Sequence, residues 1–569
     1  MPTMDSATQN VSPHYDVEMS LNVPVPMRDG VNLSADLYLP RAEGRFPTVL
    51  IRTPYSNNSD GLIWRGRALA NLGFACVIQD CRGRWDSDGD FTPFVNEAED
   101  GYDTQEWVGQ QTWSNGKIGT SGGSYLGMTQ WLTAPLNSQY LTCMTPSVTC
   151  TNLFEDIVYV GGAFQLGVMM MWGMGAHGHT GQNVEHHNWT EAFLALPLRA
   201  KATLAGREID YWRDWVEHST YDDYWTRVNV SDKWDQIQVP ALNIGGWYDL
   251  WAQQTFTNFN GLRQYGATPE AKQSRLVVGP WVHAINVSPR VGDIDFGMHS
   301  MLDLETLELR WLDYWLRGNE NGIAGEAPLH LFIMGANEWR DEQEWPLART
   351  DWKKWYFHSQ GKANTLRGEG FLSPEEPGDE PTDHFVYDPR YPVQTCGGNT
   401  CCSPHIVPWG PYDQRSVEMR SDVLCYTSEP LPVDTEITGP IKVVLYAATD
   451  VPDTDWTAKL VDVAPSGYAK NLCDGILRAR YRKSMVQPSL LEPNQIYKYE
   501  IDVGVTGNLF RQGHSIRLEI SSSNFPRFAR NLNTGANFGT DTEMQPAHQT
   551  IYHSRSYPSH VILPVIPQG

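Results

Sequence analysis

Long apolar runs are missing from this sequence. No uninterrupted stretch reaches the roughly 18 apolar residues that a membrane-spanning helix needs, so none is expected to cross a bilayer. Positive charge is also short, with 43 Lys and Arg against 67 Asp and Glu and a net charge of −24. Such a chain repels phosphate backbones and anionic headgroups, which argues against nucleic-acid and membrane partners. The first twenty residues, MPTMDSATQNVSPHYDVEMS, have neither a basic start nor an apolar core. No signal peptide is therefore expected there. Cysteine is sparse, at nine in 569 residues. An odd, scattered set does not make a disulfide framework, and a reducing cytoplasm is the expected location.

Metal-ligand spacing is absent too. Cys396, Cys401 and Cys402 share a Gly/Asn/Thr loop with only His405 nearby. His177, His179, His186 and His187 crowd together without an H-E-x-x-H pattern. Neither set has the paired spacing of a zinc site, so no metal and no cofactor is expected.

What is present describes a large globular protein. Apolar residues make up 41% and charged residues 19%. A single core stops growing near ~250–300 residues, so two or three domains are expected. The 22 tryptophans imply large cores or aromatic-lined pockets.

The first half alternates strands and helices. FPTVLI (46–51) and FACVIQD (74–80) read as buried strands, with LIWRGRALANLG (62–73) as the helix between them. That is a strand–helix–strand unit and implies a parallel sheet. KIGTSGG (117–123) reads as a third strand, followed by helical SYLGMTQWLTA. Residues 151–235 carry no strand pattern and are rich in Met, Trp, Gly and His, which suggests a helical insertion. Strands return at 240–246 and 274–280, and LDLETLELRWLDYWLRG (302–318) is an amphipathic helix ended by Gly318. From about residue 350 short alternating runs between Gly, Pro, Asn and Asp turns indicate an all-β sandwich or jelly roll.

The chemistry centres on GKIGTSGGSYLGMTQW (116–131). Ser121 fits the G-x-S-x-G frame of a nucleophile elbow. Its helix would then open on Gly122-Gly123, and glycine is a poor helix former by ~1 kcal/mol each. Ser124 leaves a longer incoming strand and a helix that opens on Tyr125-Leu126, with Gly127 as the small residue. Local physics therefore favours Ser124, although Ser121 is the better pattern match. A serine needs a base and an orienting acid, in the chain order Ser, Asp or Glu, His. Asp249 follows the strand-like LNIGGWY and His283 follows LVVGPWV. Taken singly, an aspartate there can cap a turn and a lone histidine can be a core residue. Taken in order after the elbow, they complete a triad. His299, Asp293 and Asp303 compete but lack a preceding apolar run. DCRGRWDSDGDF (80–91) reads as a turn pinned by Arg–Asp pairs.

The segment GYDTQEWVGQQTWSNGKIGTSGGSYLGMTQW resembles the cocaine esterase / X-Pro dipeptidyl-peptidase-like (CocE/NonD) serine hydrolases. So do VPMRDGVNLSADLYLP, RTPYSN, DCRGRWDSDGDF, GGWYDLW, VGPWVH, DTDWTAKLVDV and SSSNFPRFARNLNTG. The resemblance covers nearly the whole chain except 151–235. It implies an α/β fold: an α/β-hydrolase sheet domain (1–150 and 236–350), a helical cap (151–235) and a C-terminal jelly-roll, galactose-binding-like domain (351–569). It places the nucleophile of its G-x-S-Y-x-G frame at Ser124 and its partners at Asp249 and His283. It implies an oxyanion hole from the Tyr125 amide and the Tyr55 hydroxyl of RTPY, and needs no metal. Trp251 matches a family aromatic of the acyl pocket, and Trp172 and Phe154 of the cap are candidate pocket walls, as are Phe164 and Trp212. Relatives acting on α-amino esters carry an acid where this chain has Leu126. An ester of an apolar or aromatic acid is therefore the expected substrate. An amide or β-lactam side-chain acylase or X-Pro dipeptidyl-peptidase is the alternative, and a non-catalytic carbohydrate-binding protein stands further off. A homo-oligomer is left open.

Overall fold

The computed structural model describes residues 14–203 and 208–567. Residues 1–13, where no signal peptide is expected, lie outside the described residues. Two sheets dominate, one of ten strands and one of twelve.

The ten-stranded sheet is built outward from its most apolar strands. β3 (Phe46–Thr53) and β4 (Ala75–Asp80) are buried almost throughout, as parallel strands covered on both faces must be. Helix α1 (Asp60–Asn71) connects them. β1 (Val17–Pro26) holds the edge, antiparallel to β2 (Asn32–Pro40). Its largely exposed residues and its two prolines suit a strand with one free side. β3 pairs in parallel with β5 (Ser114–Gly123), and β5 with β6 (Leu141–Ser147). Beyond β6 come Leu242–Gly246, Arg275–Gly279, Leu329–Ile333 and Glu338–Glu342, the last antiparallel. Helix α2 (Glu97–Gly109) and helix α3 (Tyr125–Thr133) lie in the connections on either side of β5. Because β5, Leu242–Gly246 and Arg275–Gly279 run parallel, their C-terminal ends open on one edge of the sheet, where such folds bind ligands.

Residues 151–235 form helices and loops above that edge. α4 (Leu166–Gly175), LGVMMMWGMG, is buried on nearly every side, as its unbroken apolar composition requires. The expectation of no strand fails at a two-stranded hairpin, Tyr159–Val160 with Ala163–Phe164. Two-residue strands turning on Gly161-Gly162 are too short to leave an alternation in sequence. The helix expected over 302–318 is α-helical from Leu304 to Leu312 and widens into a π turn over Asp313–Arg317, with Gly318 at φ 74° closing it.

The twelve-stranded sheet spans Asp351–His358 to His560–Ile566, and its neighbours are antiparallel except for Phe371–Ser373 beside Leu424–Thr427. Its core is continuous with the first sheet. Trp247, Phe332 and Met334 pack in one cluster with Val443, Trp456, Tyr499 and Val505. The Trp247 indole N–H donates to the Phe332 carbonyl at 2.6 Å.

Candidate active site

Only Ser124 separates β5 from α3, so the chain turns from strand to helix at one residue. It does so with φ 59° and ψ −125°, in backbone space that a non-glycine residue occupies at a cost of ~1–3 kcal/mol. The turn is tight enough to need glycines beside it. A Cβ on Gly122 (φ 137°) would lie 2.5 Å from the Leu126 Cβ, and one on Gly127 would lie 2.7 Å from the Thr149 Cβ. The backbone N–H of Ser124 donates to the Ser147 carbonyl at 2.9 Å, tying the turn to β6. Ser121 is buried within β5, where its hydroxyl donates to Glu308. Glu308 also accepts from the Thr145 hydroxyl and pairs with Arg65 at 2.7 Å. Ser121 is thus held in a closed network away from the cavity.

Asp249 and His283 stand on the turns after two adjacent parallel strands. Backbone bonds join those turns, from Trp247 N–H to the Gly279 carbonyl (2.9 Å) and from Tyr248 N–H to the Trp281 carbonyl (3.0 Å). The Asp249 carboxylate is fully buried. One oxygen accepts from His283 Nδ1 at 2.7 Å and the other from the Trp251 N–H at 3.1 Å. A carboxylate can only accept, so Nδ1 carries the imidazole proton and Nε2 is left as an acceptor. His283 Nε2 lies 3.0 Å from Ser124 Oγ. The indole of Trp251 stands edge-on to the imidazole at 5.2 Å. Sequence reading missed Asn399, whose side-chain amide donates to the Trp247 and Asp249 carbonyls at 2.9 and 2.8 Å. It lies 150 positions downstream, in the β-rich half, and no local pattern marks it.

The Tyr55 hydroxyl accepts from the Trp172 indole N–H at 2.8 Å, leaving its own proton free to donate. Tyr55 borders the cavity and is 41% exposed. The protein mass around the cavity nonetheless desolvates its hydroxyl and pushes its pKa up to about 12. The group therefore stays protonated across the neutral range. Its loop is clamped, because the Pro54 carbonyl accepts from Arg84 Nε (2.8 Å) and the Trp85 indole (3.1 Å). Arg84 continues to the Ala176 carbonyl of the cap at 2.6 Å. The Arg–Asp pairs expected to pin DCRGRWDSDGDF do not form within it: Arg82 pairs outward with Asp29 and Asp100, and Arg84 binds carbonyls. Tyr125 opens α3, and a first helical N–H has no acceptor within its helix. The Tyr125 hydroxyl donates to Glu97, itself paired with buried Arg52 at 2.9 Å.

Ser124 opens on a cavity walled by Phe94, Ile157, Val168, Met169, Trp172 and Trp251. Cys401 and Cys402 close one side, joined by a disulfide between neighbours. Trp172 and Trp251 thus stand where a pocket wall requires. Phe154 does not: it is fully buried in the cap core against Tyr159, Tyr221 and Trp225. Phe164 and Trp212 pack on each other in the same core. The turn of helix that buries Phe154 presents Ile157 to the cavity instead. The competitors lie elsewhere: His299 bonds the Asn337 carbonyl, Asp303 caps a helix at Thr306, and Asp293 meets Tyr468. Among the described residues no group of three or more His, Cys, Asp or Glu could hold a metal ion, and no helix is long and apolar enough to cross a membrane.

Fold and relatives together define a serine hydrolase of the α/β-hydrolase class. Residues 29–285 match the family described as X-Pro dipeptidyl-peptidase (S15 family), and residues 321–562 match the X-Pro dipeptidyl-peptidase C-terminal non-catalytic domain. The chain is 38% identical to the cocaine esterase of Rhodococcus sp. (strain MB1 Bresler), over 96% of this chain and 98% of that one. An α-amino acid ester hydrolase structure superposes with a TM-score of 0.81 at 25% identity, covering 99% of this chain and 100% of that one. An aminopeptidase from a Thaumarchaeota archaeon has the same fold, with a TM-score of 0.82 at 24% identity over 99% and 98% of the two chains. The chain belongs to the cocaine esterase / X-Pro dipeptidyl-peptidase-like family of serine hydrolases, whose members act as esterases or peptidases.

Proposed function

We propose that this protein is a carboxylesterase for esters of apolar or aromatic acids, with Ser124 as nucleophile, His283 as base and Asp249 as the orienting acid. The observation that carries the reading is the Asp249–His283–Ser124 relay opening on an apolar cavity whose walls include no carboxylate. His283 Nε2 takes the Ser124 proton as Oγ attacks the acyl carbon. The Tyr55 hydroxyl and the Tyr125 amide receive the oxyanion. The imidazolium returns the proton to the leaving alkoxide, and water then releases the acid by the same steps in reverse. The apolar walls Ile157, Val168, Met169, Trp172 and Trp251 suit an apolar or aromatic acyl group. The kinship with a named cocaine esterase supports ester over amide chemistry.

The alternative, an amide acylase or X-Pro dipeptidyl-peptidase, requires the site to meet a substrate ammonium. Burying an unpaired ammonium costs several kcal/mol, and no carboxylate lines the cavity to pair with it. We assign the hydrolase unit to 1–150 and 236–350, the cap to 151–235 and a jelly-roll domain to 351–569. The cytoplasm is the location we assign, since seven of the nine cysteines are free and the one disulfide joins adjacent residues. The test compares phenylacetyl and phenylglycyl groups, each as ester and as amide. The expected order places the phenylacetyl ester first, with both amides little cleaved. Faster cleavage of a phenylglycyl or Xaa-Pro amide contradicts the assignment.

A further inference from the structure

The cavity wall contributed by the β-rich half is a disulfide between adjacent residues, Cys401 and Cys402. Joining neighbours closes a small ring around one peptide link, so this bond shapes a turn and does not staple distant segments. Cys402 sits at φ 87°, in the left-handed region that costs a non-glycine residue ~1–3 kcal/mol and that the ring helps to hold. The two residues differ in access. Cys401 is 2% exposed and packs with Val407 and the cap core, whereas Cys402 is exposed.

The loop that carries the pair is closed at its base. Gly398 and Gly410 exchange backbone hydrogen bonds of 2.8 and 2.9 Å. Asn399 leaves that base to brace the Asp249 turn, and Val407 anchors the far side. Opening the ring would release the Cys401–Cys402 link, while the Gly398–Gly410 base and the Ser403 turn, whose carbonyl accepts from the Ile406 and Val407 N–H groups, stay in place. The part that moves is the wall facing the acyl group, and the relay behind it is retained.

We propose that the Cys401–Cys402 pair is a redox-responsive specificity element: oxidised, it fixes one wall of the acyl cavity; reduced, it lets that wall rearrange and changes which acyl groups are accepted. The inference rests on the esterase reading above. The reductant is a dithiol. Its thiolate attacks the exposed Cys402 sulfur, the S–S bond breaks, and Cys401 leaves as a thiolate that is protonated. The second thiol of the reductant then displaces Cys402, giving two protein thiols and one oxidised dithiol. The seven other cysteines are free, so this pair is the bond a reductant meets.

The test uses the full chain, untreated and after dithiothreitol followed by desalting. Thiols are counted after denaturation, and kcat/KM is measured for p-nitrophenyl benzoate and p-nitrophenyl acetate. The expected result is seven thiols before and nine after, with the benzoate-to-acetate ratio shifted by about tenfold and restored on reoxidation. Cys402→Ser should abolish the response, and Cys396→Ser should keep it. Nine thiols in the untreated protein overturn the proposal. So does a ratio held within about twofold once nine thiols are present. An untreated protein that cleaves neither ester and takes no fluorophosphonate label refutes the esterase reading itself. An active enzyme with a fixed ratio refutes the redox role alone.

Discussion

At the scale of single residues the site depends on where protons sit. Asp249 fixes the imidazole proton on Nδ1, and Trp172 occupies one lone pair of the Tyr55 oxygen. In the proposed mechanism Tyr55 donates to the developing oxyanion, and its pKa of about 12 keeps that proton in place through neutral pH. Tyr55→Phe should lower kcat by about 10²–10³-fold with little change in thermal stability. A change in KM alone would assign Tyr55 to substrate packing. The relay was legible in sequence because each member follows a strand, and a strand end is a local pattern. Tyr55 was legible only through family resemblance, since RTPY has no chemical signature of its own. Asn399 was not legible at all, because its task is to donate to carbonyls 150 positions away.

Among elements, the elbow and the cap behave differently. The choice of Ser124 over Ser121 followed from glycine's poor helix propensity, and close contacts at Gly122 and Gly127 agree with it. The cap resisted sequence reading. Its aromatics are numerous, and composition cannot separate those that face the cavity from those, like Phe154, that face each other. The cap is joined to the sheet domain partly through Asp156. Its carboxylate accepts from Gln254 and from the Asn152 N–H, and its carbonyl from the Trp251 indole. Burial outweighs those donors and raises its pKa from 3.8 to about 7. The neutral form is the one the fold favours. Its contribution to stability is therefore complete below about pH 4 and is lost as pH rises through about 7. Asp156→Asn should flatten the fall in Tm over that interval. An unchanged pH profile would place the ionisation elsewhere.

Across the whole molecule the two sheets share one core, and the cavity needs both. The first sheet supplies Ser124, the cap Trp172, and the β-rich half Cys401 and Cys402. Trp247 lies at the join, fully buried, and a Cβ added to Gly507 would lie only 2.7 Å from its ring. Calorimetry should accordingly give one cooperative unfolding transition, and two well-separated transitions would contradict a shared core. Such long-range closure was the least legible feature, because hydrophobic periodicity reports which face is buried but not against what.

The central claim is that Ser124, and not Ser121 three positions earlier, is the activated hydroxyl. Peptide mapping after treatment with a fluorophosphonate tests it most directly. The predicted result is one covalent adduct, on Ser124, lost in His283→Ala. An adduct on Ser121, or none at saturating reagent, would contradict it.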